Sequence, residues 1–538
     1  MNDHWRTWGV GATTTRLAEQ MLWREISVES GLLRIAMAWL GLYLFTLPCA
    51  SPCAAAAQMA EVPAPVAKVL RTQKIRLADV SFYVHNTGES QPRLAINARQ
   101  PRNPASTIKL LTTKAGLDIL GPGFVWKTKA YAAGPVRDGR LQGDLVLKGH
   151  GDPAMTPETL WRLLWGVRER GIETISGNIL LDGSYFEPPE AARGDFDGNA
   201  TSSYNALPHA LSVNFQTTRV HLVGDGSGKG VRVFTDPPLA TLEVQNNLRL
   251  VKAPCKRKFH KPALTLYEKG DIATLRLTGT FASSCGEASY PRLVLDPAGH
   301  TAGAVLALWE GMQGGLDGHV LEGAVPERAR LLYTLESRPL EEAVRQINKR
   351  SNNLMSRTLF LTLGARLKGA PGSLTKARQV ISVWLSDQDL DFAVLVLENG
   401  SGLSRVTRIS AESMGRLLCY AYAGATMPEF LSSLSIAGVD GTMRKRFKKS
   451  ALKGQAHIKT GTIRGATGIA GYVLDQEGER WIVVSLINNP RLQAWRGKAV
   501  ENALLQWVFE KAGAGGQVSA ESSAGPPKWF RRTARLGP

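Results

Sequence analysis

The hydrophobic and polar positions change period several times along the chain, and the changes divide it. Leu32 to Leu47 is apolar apart from Arg34 and Thr46, and the small residues Ala54 to Ala57 follow just before Gln58. This reads as an export signal over residues 1–57, too short after Arg34 for an ordinary membrane span. An uncleaved N-terminal anchor is the other reading. Acids at Asp3, Glu19, Glu25 and Glu29 make an unusual leader and leave Met21 as an alternative start. Further on, Asp79 to Val84 and Arg93 to Asn97 read as a hairpin around Asn86-Thr87-Gly88. Ile108, Leu111, Ala115 and Ile119 then fall at helical spacing. From about Val136 to Val325, Asp138-Gly139, Asp182-Gly183 and Asp225-Gly226 punctuate short β-branched runs, with one helix near Pro157–Arg170. Helical stripes resume at Leu340, Ala343, Val344 and Ile347, and again from Leu354 to Leu363. Gln455 to Ile463, Gly468 to Leu474 and Arg480 to Ile487 read as successive strands, the last two joined by the turn Asp475 to Gly478. Gly513 to Pro538 is rich in Gly, Ser, Ala and Pro and reads as a disordered tail.

The pattern predicts a mixed α/β (α+β) protein. One domain of helices and antiparallel sheet is split into parts at 62–135 and 326–512, and a mainly β insertion of two smaller domains occupies 136–325. At 538 residues, 43% hydrophobic and 21% charged, the composition is that of a globular chain of more than one domain. The formal net charge of +19 survives removal of residues 1–57, because that segment holds as many acids as bases. Such a chain is drawn to polyanions such as anionic wall polymers. No nucleic-acid module is present, and Arg444 to Arg446 with Lys448 and Lys449 reads as a solvated face. Nine histidines occur without a metal-ligand spacing, so neither a metal nor a cofactor is implied. Of the cysteines beyond residue 57, Cys255 and Cys285 share one loop-rich segment and could pair. Cys419 lies in an apolar helical run and reads as a buried thiol. Three unpaired thiols are the alternative.

Three short motifs then bring chemistry to the split domain: Ser106-Thr-Ile-Lys109, Ser351-Asn-Asn353 and Lys459-Thr-Gly461. Each is weak alone, since S-x-x-K recurs at Ser373–Lys376 and Ser450–Lys453, and S-x-N at Ser176–Asn178 and Ser212–Asn214. Their order is that of active-site-serine enzymes acting on D-alanyl peptides or β-lactams. Ser106 and Lys109 are spaced to leave the same face of a first helical turn, where a lysine can take the serine proton. Read without the other motifs, they are a helix cap and a surface lysine. Ser351 to Asn353 falls where two helical stripes meet and can project into a cleft. Lys459 to Thr462 lies along a strand, with Lys459 and Thr462 offering charge and hydrogen bonds to a carboxylate and Gly461 admitting a substrate backbone.

With these motifs, the chain resembles the low-molecular-mass class C penicillin-binding proteins, the D-alanyl-D-alanine carboxypeptidase/endopeptidase family. The likeness spans about Val66 to Ala512. It is carried by Pro104-Ala-Ser-Thr-Ile-Lys-Leu-Leu-Thr-Thr113, Gly149-His-Gly-Asp-Pro153, Gly177 to Phe186, Asn399-Gly-Ser-Gly-Leu-Ser-Arg405 and His457 to Thr462. Ser356-Arg357 departs from the Ala-Glu that relatives often have. The resemblance implies a split serine transpeptidase/β-lactamase-like catalytic domain carrying two inserted domains. It implies a periplasmic, possibly membrane-associated enzyme that hydrolyses peptidoglycan peptides ending in D-Ala-D-Ala, and cross-links, through an acyl-enzyme, with β-lactams as covalent inhibitors. Ser106, Lys109, Ser351, Asn353 and Lys459 are then catalytic, and Thr460, Gly461, Thr462, Ser401 and Asp182 bind substrate, Asp182 through the amino group of a diamino acid. For Asp182 an ordinary Asp-Gly turn is the competing reading. A β-lactamase-like hydrolase would turn over penicillin rapidly, and a non-catalytic wall-binding protein would not depend on Ser106. Oligomeric state is not encoded in any of these features.

Overall fold

The computed structural model describes residues 62–224, 230–256, 262–269 and 272–511. The export signal, the Asp225-Gly226 turn and the tail from 513 fall outside the described residues.

The split domain closes around a six-stranded antiparallel sheet. In chain order its strands are β1 (Val80–Asn86), β2 (Leu94–Ile96), β3 (Ser435–Ile436), β4 (Ala456–Ile463), β5 (Ala466–Leu474) and β6 (Arg480–Asn488), and in space they run β3-β4-β5-β6-β1-β2. Pairing of β1 with β6, from Val80 opposite Ile487 to Asn86 opposite Trp481, sews the two ends of the chain together. The strands read as nearly continuous apolar runs because both faces are covered. Along β6, Ile482, Val484 and Leu486 enter one core while Trp481, Val483 and Ile487 enter the other. On the second face lie α1 (Ala64–Gln73) and α6 (Ala494–Lys511), contributing Val66, Leu70, Val500, Leu504 and Val508. The first face carries α2 (Lys109–Leu120), α3 (Leu340–Arg350), α4 (Asn353–Lys368) and α5 (Ala411–Ala423).

Helix α2 is the centre of that layer. Every residue from Lys109 to Leu117 is buried, so it is a core helix rather than an amphipathic one. A 3₁₀ turn over Ala105–Ile108 leads into it. The αα junction expected near Ser351 is sharp. Ser351 takes a left-handed φ of 57° at the end of α3, and the Asn352 side chain caps α4 by accepting from Met355 N at 3.1 Å.

The inserted region is mainly β with helices at Pro157–Arg168 and Pro297–Gly311. Its five-stranded sheet is built from 127–133, 144–148, 179–182, 320–322 and 330–336. Lys127–Ala133 pairs with Arg330–Glu336, so this sheet crosses both expected limits, 136 and 325. Cys255 and Cys285 form a disulfide, and Cys419 is a buried free thiol. Among the described residues, no helix is long and apolar enough to cross a membrane.

Candidate active site

The turn Pro104-Ala105-Ser106 is held from several sides. Ala105 has φ +46°, a left-handed conformation that costs an L-residue on the order of 1 kcal/mol. Asn103 supports it, with Oδ1 accepting from Ala105 N at 2.9 Å and Nδ2 donating to Ser404 O at 2.9 Å. Asn488 at the end of β6 in turn accepts from Asn103 N at 2.6 Å and donates to Asn103 O at 3.0 Å. Two glycines make room for the turn. A Cβ on Gly402 would lie 1.9 Å from Ala105 O, and one on Gly461 would lie 2.7 Å from Pro104 O and 2.9 Å from Ser106 N. The sequence reading gave the space at Gly461 to substrate; the turn that carries Ser106 fills it.

Lys109 is fully buried, and its Nζ meets three oxygens: Ser106 Oγ at 3.1 Å, Asn353 Oδ1 at 2.7 Å, and the carbonyl of Ser401. Burial drives its pKa well below the ordinary lysine value, helped by the positive charges of Lys459 and Arg357. A neutral amine has two N–H donors and one lone pair. The Asn353 and Ser401 oxygens are acceptors only, so they take the two N–H groups and leave the lone pair for the Ser106 hydroxyl. The Asn353 amide is oriented by its other end, where Nδ2 donates to Tyr204 O at 3.0 Å.

Lys459 on β4 is also fully buried. Its Nζ donates to Ser351 Oγ at 2.9 Å and Thr460 O at 2.7 Å, and burial lowers its pKa to about 7. Thus Ser106, Lys109 and Asn353 form one cluster and Ser351 with Lys459 a second, with Lys459 close enough to disfavour the charge on Lys109.

The model of the D-Ala-D-Ala carboxypeptidase 3 (S13) family matches residues 62–511. The chain belongs to this family. It is 27% identical over 509 residues to a D-alanyl-D-alanine carboxypeptidase of Actinomadura sp. strain R39, covering 91% of this chain and 93% of that one. It is 25% identical over 442 residues to a D-alanyl-D-alanine carboxypeptidase of Haemophilus influenzae, covering 78% and 87%. Its fold matches the crystal structure of penicillin binding protein 4 from the same organism, with TM-score 0.69 and 22% identity over 83% of this chain and 99% of that one.

For this S13 carboxypeptidase, three expected substrate contacts sit differently from the sequence reading. The Ser401 side chain is buried and donates to Asn399 Oδ1 at 2.8 Å, so the residue enters the cluster through its carbonyl. The left-handed Gly400 and Gly402 on either side, at φ +69° and +76°, aim that carbonyl. Asp182 is 1% exposed. Its carboxylate accepts from Lys148 Nζ at 2.8 Å, Val325 N at 3.0 Å and Ser184 N at 2.9 Å. Burial raises its pKa, but those donors outweigh it and hold the carboxyl below its ordinary value. In this arrangement it ties strands of the insertion together, and its charge is already satisfied. On β4, Thr460 donates to Thr442 Oγ1 at 2.8 Å and Thr462 is exposed. Sequence reasoning missed Tyr204, Ser356 and Arg357. Ser356 Oγ donates to Gly400 O at 2.9 Å, and Arg357 Nη1 to Ala206 O at 3.1 Å. The only signal was the Ser356-Arg357 departure itself.

Proposed function

We propose that this S13 family member is a serine-type D-alanyl-D-alanine carboxypeptidase and endopeptidase, working through an acyl-enzyme on Ser106. The carrying observation is the valence of Lys109: a buried amine whose two N–H groups have acceptors and whose third contact is the Ser106 hydroxyl. Neutral Lys109 takes the Oγ proton as Ser106 attacks the carbonyl between two D-residues. Negative charge then grows on the carbonyl oxygen. The backbone N–H groups of Ser106 and Thr462 are assigned to it, supported by how tightly β4 packs at Gly461 against Ser106 N; each such donor contributes about 3 kcal/mol. Ser351, held by Lys459, relays that proton from Lys109 to the leaving amine as the C–N bond breaks, so that Lys109 is neutral again and Ser351 keeps its hydroxyl. Lys459, Thr460 and Thr462 receive the terminal carboxylate of a peptide ending in D-Ala-D-Ala, or the equivalent group of a cross-link. Water cleaves the ester, releasing the shortened peptide and restoring Ser106 and Lys109.

Penicillin presents a comparable acylating carbonyl and is expected to modify the same serine. Peptidoglycan lies outside the cytoplasm, so this reading places the mature chain in the periplasm.

The test is intact-mass analysis of residues 58–538 after penicillin treatment, beside Ser106→Ala. A single long-lived adduct on the native chain, absent from the variant, supports the reading. Rapid loss of penicillin without an adduct would instead indicate a β-lactamase, and an adduct that persists in Ser106→Ala would remove Ser106 as nucleophile.

A further inference from the structure

Asn353 and Arg357 stand one helical turn apart on α4, and both reach across to the same short segment of the inserted region. Asn353 Nδ2 donates to Tyr204 O at 3.0 Å, and Arg357 Nη1 donates to Ala206 O at 3.1 Å. Between these contacts the segment forms a 3₁₀ turn, Ser203–Asn205, held from its other side by Asn205 Nδ2 donating to Asp197 Oδ1 at 2.9 Å. We propose that Arg357 is a positioning residue for acylation: it pins the Tyr204–Ala206 segment to α4, so that the Tyr204 carbonyl holds the Asn353 amide with Oδ1 toward Lys109.

The consequence is chemical. An Asn amide can flip, and only one of its ends is an acceptor. With Oδ1 at Lys109, one N–H of the amine is used and the lone pair stays with Ser106. With the amide reversed, Nδ2 would face the amine and compete for the lone pair, leaving Ser106 without a base. The Tyr204 carbonyl can pair only with the amide N–H₂, so its fixed place excludes the reversed state. Arg357 also lies beside the cluster as a cation at neutral pH, although burial lowers its pKa to about 10. The charged groups acting on Lys109 are Lys459 from β4 and Arg357 from α4, and Glu398 lies near Arg357 with the opposite sign. Arg357 favours a neutral Lys109 throughout, and Lys459 does so while it keeps its own proton.

This inference rests on the serine reading above. Its test uses the full exported chain, with the rate of acylation by penicillin measured against pH for native protein, Arg357→Gln and Arg357→Lys. Arg357→Gln loses both the cation and the long reach to Ala206 O. It should acylate at least about tenfold more slowly, with the acid limb of its profile moved to higher pH because Lys109 now keeps its proton longer. Arg357→Lys keeps the charge but not the planar fork, so its limb should stay at the native position while the rate still falls. That smaller change carries the test if Arg357→Gln does not fold. Native rates and profiles in the folded variants would overturn the proposal, as would an equal loss at every pH in both of them. A native chain that never forms an adduct would overturn the serine reading as well, so the two failures are distinct.

Discussion

Lys109 and Lys114 sit on the same helix at 0% and 1% exposure, yet they live in opposite electrostatic surroundings. Lys114 is paired with Asp118, donates to Thr426 Oγ1 at 2.9 Å, and lies over the Tyr420 ring at 4.8 Å. The Asp118 carboxylate is further held by the Tyr420 hydroxyl at 2.8 Å. Lys109 has no carboxylate partner among the described residues; it has three neutral oxygens and two cations nearby. A second pair repeats the contrast. Lys349 is bonded to Asp440 at 2.6 Å, whereas Lys459 has only a hydroxyl and a carbonyl. At Lys114 burial still lowers the pKa, but the Asp118 carboxylate opposes that shift and favours the ammonium, and the pair ties elements together. A buried lysine with neutral partners sheds its proton readily, which weakens the fold and creates a base.

Substitution by methionine should separate the two kinds. Lys109→Met should reduce the acylation rate by about 10³–10⁴-fold, while its melting temperature stays level or rises, because a poorly solvated amine is replaced by an apolar chain. A variant that loses stability but still acylates would erase the contrast. Lys114→Met should do the reverse. It strands Asp118 beside the core and should cost about 3 kcal/mol in a urea titration, with the acylation rate per folded molecule within about twofold of native.

Lys459 sharpens the comparison through pH. Its folded pKa of about 7 lies below the ordinary 10.5. Between these values the unfolded chain holds a proton that the folded chain lacks, so stability rises with pH across that window and is flat below it. Native protein should therefore gain on the order of 2 kcal/mol in urea stability from about pH 7 to about pH 9 relative to Lys459→Met. An identical pH dependence in the two would show that Lys459 stays charged. The smallest effect is expected at Lys148 and Asp182, a tether nearer the surface. Asp182→Asn should lower stability by about 1 kcal/mol without changing KM for a diamino-acid peptide. A raised KM at native stability would return Asp182 to substrate binding.

Much of this was legible locally. The apolar stripe from Ile108, the helix junction at Ser351 and the strands around Lys459 follow from periodicity and turn chemistry that each segment carries by itself. Pairing of β1 with β6, which joins the two ends of the chain, was not among the expectations. What was not legible depends on the backbone of a distant segment. Ser401 acts through a carbonyl whose direction is set by two left-handed glycines, and its hydroxyl gives no hint of that. Gly461 reads as a place for substrate until the Pro104–Ser106 turn is seen against it. Tyr204 contributes only a main-chain oxygen from within the insertion, so its side chain carries no signal. The tether at Asp182 was not legible because its partners, Lys148 on a neighbouring strand and Val325 N just beyond another, are distant in sequence.

The central claim is that Lys109 is unprotonated in the folded enzyme at neutral pH. It is tested most directly by NMR titration of ¹³Cε-labelled lysine, with the Lys109 resonance assigned by its loss in Lys109→Met. The account predicts that this resonance reports a free amine at neutral pH and titrates well below the ordinary lysine range. A Lys109 signal that stays in the ammonium position through neutral pH would contradict it.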